Sequence, residues 1–259
     1  MYREKIRGDA PQGKTNFPPP RQKAVIGKEI YGALENIKNT FGVEWQKLPA
    51  SAKKREVEEA MILFTYNTNA IEGSKITSYE TRELLINNLS PKRSLNQVKE
   101  TREHARIFAD MINGRPEMSK DLILEWHRKI FGETEPDIAG KFRDYFVSIG
   151  GYLPPDWTKI EAFMENLFRF INSSNMNPVE LAARSHYRFE KIHPFGDGNG
   201  RIGRLIMNGI LWNNDYPFSI IKFEDRNLYY AAFEKGEDEF TLYFLETYIN
   251  EHQKGGLTF

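Results

Sequence analysis

From residue 23 to residue 252 the apolar residues of this chain recur at helical spacing, and start and stop signals interrupt them at short intervals. That pattern leaves little room for a sheet. Over residues 52–71, Val57, Ala60, Met61, Phe64, Thr68 and Ile71 share one helical face, and Gly73 follows as a stop. Thr77-Ser78-Tyr79-Glu80, Ser94-Leu95-Asn96-Gln97 and Thr158-Lys159-Ile160-Glu161 each read as a capping box opening a helix. Ser119 reads as the cap of a helix through Ile130. Asn177-Pro178 opens another to Lys191, with proline at the first helical position. Residues 201–213, 226–235 and 238–252 complete the set. The exception is Arg143 to Tyr152, whose β-branched, aromatic and glycine-broken sequence predicts a short hairpin, ended by Pro154-Pro155. Residues 1–22 are polar and proline-bearing and read as an extended arm. The expectation is an all-α bundle with one projecting β-hairpin.

Composition narrows the functions open to such a bundle. Lys plus Arg and Asp plus Glu are both 36, and a nucleic-acid-binding surface ordinarily needs a basic excess. The chain has no cysteine, which excludes disulfides, thiolate metal sites and a cysteine nucleophile. No apolar run approaches the length of a membrane span, and no hydrophobic segment follows the charged N-terminus as in a signal peptide. A cytoplasmic protein is expected.

Chemistry is densest in His193-Pro194-Phe195-Gly196-Asp197-Gly198-Asn199-Gly200-Arg201-Ile202-Gly203-Arg204. Asp197 to Gly200 leads directly into a helix, so its amides and the helix dipole form a nest for an anion, with phosphate the best fit. Arg201 and Arg204, with Asn208 a turn further on, form a polar stripe opposite Ile202, Leu205, Ile206 and Gly209. A guanidinium on that stripe reaches phosphate oxygens bidentately. Asp197, a lone carboxylate beside the nest, suits Mg2+ held jointly with phosphate oxygens. His193 has the near-neutral pKa of a general base. Gly198, Gly200 and Gly203 also spell G-x-G-x-x-G, but the dinucleotide motif needs a preceding strand, and Glu180 to Lys191 reads as helix. His186, His104 and His127 lack metal-ligand spacing and read as packed structural residues, as do Tyr243, Phe244 and Tyr248.

The twelve-residue run matches H-P-F-x-[DE]-G-N-G-R-x-x-R without a departure, and the chain resembles the Fic family. The resemblance extends from about residue 50 to 250. It takes in Gly140-Lys141-Phe142-Arg143, the hairpin with Pro154-Pro155, and the helix from Val179 to Lys191. It implies the helical Fido fold, with residues 1–22 as arm, 23–114 as an N-terminal helical region and 115–252 as catalytic core. It also implies transfer of AMP from ATP to a Ser, Thr or Tyr hydroxyl of a target protein or of the chain itself, with release of pyrophosphate. His193 would take the hydroxyl proton, and Asp197 would hold Mg2+ between the α- and β-phosphates. Gly198, Asn199 and Gly200 would supply the anion hole, including the Asn199 side chain. Arg201 and Arg204 would bind the β- and γ-phosphates. The hairpin over 145–152 would be a flap that aligns a target segment by strand addition, with Ile149, Gly150, Gly151 and Tyr152 near the nucleotide. Tyr230, or its neighbour Tyr229, matches a position on the adenine side; the asparagine that some relatives carry shortly afterwards is absent from Phe233 to Glu239.

A second match lies upstream. Thr68 and Glu72-Gly73 fit [ST]-x-x-x-E-[GN], which resembles the inhibitory helix of relatives that carry it N-terminal to the core. Thr68 and Glu72 would share one helical face, and Glu72 would pair with Arg204 and keep it from the γ-phosphate. Two other functions stay open on the same residues: removal of AMP from a modified target with Glu72 orienting water, and nucleotide sensing without turnover. A homo-oligomer would be one means of releasing the inhibition. Neither a nucleic acid nor a membrane is expected as a partner.

Overall fold

The structure is a computed structural model that describes residues 3–6 and 26–253. It meets the all-α expectation. The helices are α1 (Lys28–Lys47), α2 (Ala50–Ile71), α3 (Ser78–Ile86), α4 (Leu95–Gly114), α5 (Lys120–Phe131), α6 (Ile160–Ser173), α7 (Pro178–Ile192), α8 (Asn199–Asn213), α9 (Arg226–Lys235) and α10 (Glu237–His252). None of them is long and apolar enough to cross a membrane, among the described residues.

Local signals explain most boundaries. Thr77 and Glu80 make the reciprocal capping box that opens α3. Ser119 accepts from the Leu122 amide at the start of α5, and Asn177 from the Val179 amide at the start of α7. Two of the expected boxes do not form. The Ser94 side chain makes no capping bond, and Gln97 instead accepts from the Lys75 amide at 3.3 Å, tying α4 to the loop before α3. At Thr158 the cap is displaced two residues upstream: Asp156 accepts from both the amide and the hydroxyl of Thr158, opening a short 3-10 turn ahead of α6.

α8 runs through the middle of the molecule. Ile202, Leu205, Ile206, Met207 and Leu211 are fully enclosed, and they share one continuous core with Leu34 of α1, Phe64 of α2, Phe108 of α4, Phe131 of α5, Met164 of α6, Phe189 of α7 and Leu245 of α10. The enclosure extends to the polar residues of this helix, with Arg201, Arg204 and Asn208 buried as well. Its buried Asn208 is satisfied locally: it donates to the carbonyls of Arg204 and Ser219 and accepts from the Ser219 amide. Asn208 therefore fixes the chain after α8 and does not extend the arginine stripe. Arg184 ties α7 to the start of α10 through Glu237 and Asp238.

The hairpin differs from expectation. β2 (Phe146–Ile149) turns through Gly150 and Gly151, and the return arm contributes only the Ile149–Tyr152 bridge. The strand paired along β2 is β1 (Arg3–Ile6), antiparallel, with Arg3 opposite Ile149 and Ile6 opposite Phe146. Four residues of the expected arm are thus a strand; the rest of the arm lies outside the described residues.

Candidate active site

Three helix ends meet around the His193–Arg204 run. α7 ends at Ile192, and His193 adopts a left-handed conformation (φ 49°) while its amide bonds back to Phe189 O at 2.9 Å. A histidine held in that sparsely populated region marks a constrained position. Its ring is almost fully buried, with Glu190 Oε2 3.8 Å from Nδ1. The loop that follows leads into α8, whose N-cap is Gly198.

The loop is held from three directions. The Asn199 side chain accepts from the Phe195 amide and donates to the Phe195 carbonyl, both at 2.9 Å. These two bonds shape the loop, and the second N–H of the Asn199 amide is left over for a ligand. His127 of α5 stacks on Phe195 at 3.9 Å. Gly140 N–H donates to His127 Nδ1, which leaves the proton on Nε2 to donate to Asp197 O at 3.0 Å. Burial pushes the His127 pKa down to about 4, so the ring stays neutral in this role. Buried Arg143 donates to the carbonyls of His193, Tyr145 and Pro155 at 2.9, 2.7 and 2.7 Å, and its amide donates to Pro194 O. One guanidinium thereby joins the general-base candidate to the root of the flap. Tyr152 closes the other side, donating from its hydroxyl to Lys191 O at 3.1 Å.

α2 delivers the upstream motif to this place. Its C-terminal turn buries Thr65, Asn67, Thr68 and Asn69, a polar face unusual for a buried helix. The helix stops in a Schellman arrangement: Ser74 N bonds Asn69 O, Gly73 N bonds Ala70 O, and Gly73 takes φ 94°, which favours glycine. That leaves Glu72 as the last residue, pointing at α8. Arg204 donates to Thr68 Oγ1 at 2.5 Å, to Thr68 O at 3.1 Å and to Glu72 Oε1 at 2.8 Å. Its side chain is 2% exposed and that of Glu72 24%. Burial, the largest single influence, acts to lower the Arg204 pKa, but the charge and hydrogen bond of Glu72 together with Tyr229 and Glu190 hold the guanidinium above its ordinary value.

The Glu72 carboxylate also touches Gly200. A Cβ at residue 200 would collide with Glu72 Oε1 and lie 3.0 Å from Arg204 Nη1, so a side chain there would have to displace the Glu72–Arg204 pair. The carboxylate therefore rests on the first turn of α8, where amides and dipole attract a negative charge.

Arg201 has a separate partner. Its Nη1 lies 2.5 Å from Glu100 Oε2 on α4, and its guanidinium stacks on Phe131 at 4.5 Å. Neither Glu100 nor Phe131 is signalled by the sequence; a partly buried glutamate inside an otherwise ordinary helix is the only trace. Asp197 accepts from the Gly198 amide, and Arg201 Nη2 is 3.9 Å from its Oδ1. No group of three or more metal-type side chains exists among the described residues. A single carboxylate beside a phosphate nest fits Mg2+ only if nucleotide oxygens and water complete the shell, which is the usual Mg2+ arrangement.

Of the two tyrosines on α9, Tyr229 is buried and its hydroxyl lies 2.7 Å from His186 Nε2. Tyr230 is half-buried, with its hydroxyl 3.4 Å from Ile71 O, beside the end of α2. His186 is packed and hydrogen-bonded, as its sequence context suggested, and His104 bonds to Thr65 at 3.3 Å. Burial, then the charges of Arg201 and Arg204, push His104 down to about 3.

Known proteins resemble this chain in sequence and in fold. The Fic/DOC family model matches residues 117–211. A protein adenylyltransferase Fic of Nematostella vectensis is 35% identical over 219 residues, which is 82% of this chain and 51% of that protein, so the chain spans about half the length of this relative. A Fic domain-containing signaling protein from Bacteroides thetaiotaomicron superposes with TM-score 0.73 at 26% identity, covering 86% of this chain and 93% of that one. Fic-1 from C. elegans superposes with TM-score 0.74 at 25% identity, covering 87% of this chain and 70% of that one. With its motif intact, its loop held on the Fido framework and its relatives alike in sequence and structure, the chain belongs to the Fic/DOC family.

Proposed function

We propose that this site transfers AMP from ATP to a hydroxyl of a protein, and that α2 holds it in an inhibited state. The hydroxyl oxygen attacks the α-phosphorus as the bond from that phosphorus to the bridging oxygen breaks, pyrophosphate leaves, and the hydroxyl proton passes to His193. Positioning and charge neutralisation supply most of the rate in such transfers. The α8 amides cradle the phosphates, Arg201 reaches the β-phosphate and Arg204 the γ-phosphate, while Tyr230 bounds the base. Mg2+, bound at Asp197 with the nucleotide, would neutralise phosphate charge. The target segment adds to the edge of β2, which Arg143 fixes relative to His193. The names of the relatives, protein adenylyltransferase Fic, support the chemistry.

The observation that carries the inhibited state is the placing of Glu72: one carboxylate holds Arg204 at 2.8 Å and covers Gly200. Bound ATP then lacks its γ-phosphate partner and sits misaligned for attack. Incubation of the Glu72→Gly protein with radiolabelled ATP and Mg2+ tests this. Label on protein is expected, more than on the parent, and none once His193→Ala is added; equal labelling of all three would overturn the reading.

A further inference from the structure

The flap edge is already filled. Among the described residues β2 pairs along its length with β1, and its own return arm supplies one bridge, at Tyr152. A lone strand leaves a row of amides and carbonyls unpaired and is a template for any extended segment. Here the template is taken by Arg3–Ile6, register Arg3 to Ile149, Glu4 to Ser148, Lys5 to Val147 and Ile6 to Phe146. These four residues carry no hydroxyl. The segment thus covers the edge without offering the site a nucleophile.

We propose that β1 is a built-in occupant of the target-docking edge, which an incoming protein segment must displace. This rests on the reading of β2 as that edge. The contact is separate from the pair between Glu72 and Arg204: one restrains the nucleotide, the other the protein substrate. Releasing α2 alone therefore leaves the second restraint in place. A segment tethered in the same chain acts at an effective concentration of about 1 mM. If it binds the edge with a dissociation constant of about 0.1 mM, it weakens apparent target affinity by about tenfold. Free targets then have to pair better than β1 does, which selects for longer or more apolar strands.

The test uses the full chain with Glu4→Pro and Lys5→Pro together. Alternate residues of an antiparallel strand donate to the partner, so adjacent prolines remove at least one ladder bond and disfavour the pairing. Two readings are taken: hydrogen exchange of the Phe146 and Ser148 amides, which point away from the Ile149–Tyr152 bridge and towards β1, and binding of a fluorescent peptide with the sequence of residues 1–8. The expected result is exchange at least tenfold faster and peptide binding about tenfold tighter than in the parent chain. Unchanged exchange would show that β1 does not cover the edge and would overturn the proposal, leaving the docking role of β2 intact. Faster exchange without tighter peptide binding would show that the vacated edge accepts no strand; the docking reading would then fail, and the proposal with it.

Discussion

Replacing Glu72 by glycine should destabilise the resting protein and speed the reaction, both through one contact. In the parent the carboxylate lies 2.8 Å from a guanidinium that is 2% exposed, while the carboxylate itself is 24% exposed. Removing one partner of a fully buried pair costs about 3–5 kcal/mol. The partial exposure of Glu72 and the retained bonds from Arg204 to Thr68 reduce that to about 2 kcal/mol. For a chain of this size that lowers Tm by about 4–8 °C. If the same contact, worth about 2 kcal/mol, opposes alignment of the γ-phosphate, its removal should raise transfer about 30-fold at 1.36 kcal/mol per factor of ten. Differential scanning fluorimetry without nucleotide, beside single-turnover transfer of labelled AMP, measures both. A variant as stable as the parent and no faster would refute the reasoning.

Other outcomes follow from the same contacts. His193→Ala should abolish transfer while ATP affinity, by calorimetry, stays within about threefold, because His193 lies outside the phosphate nest. Arg143→Lys should lower stability by about 2–3 kcal/mol in urea denaturation, since one ammonium cannot reach three buried carbonyls from the place of a planar fork. Stability should also fall as pH drops from 6.5 towards 4. Burial depresses His104 and His186 to about 3 and His127 and His252 to about 4, so the unfolded chain binds four more protons there. Glu251, raised by burial to about 7, works in the opposite direction between its ordinary value and 7. The net of about three protons gives a slope near 4 kcal/mol per pH unit at most; a Tm that does not change between pH 7 and pH 5 would contradict it.

Much of this molecule was legible in its sequence because the signals are local. Helix periodicity, the caps at Thr77, Ser119 and Asn177, and the glycines around Asp197 each report on a few neighbouring residues. Thr68 and Glu72 were legible for the same reason, being one turn apart on one helix. The misses are long-range or competitive. Asn199 also bonds to the backbone of Phe195 through both its polar atoms, a loop-shaping contact that the motif alone does not announce. At Thr158 the box pattern is present, yet Asp156 stands two residues earlier and caps first. Glu100 meets Arg201, and Arg143 meets His193, only after the chain has folded, and no spacing encodes either pair. The pairing of Arg3–Ile6 with Phe146–Ile149 joins segments more than a hundred residues apart, and four residues of mixed charge carry too little alternation to announce a strand.

The central claim is that an intact nucleotide site donates AMP to protein once Arg204 is free. Intact-protein mass spectrometry of the Glu72→Gly protein after incubation with ATP and Mg2+ tests it most directly. A mass increase equal to one AMP is expected, absent when His193→Ala is added. An increase equal to a phosphate, or no increase under conditions where the variant binds ATP, would contradict it.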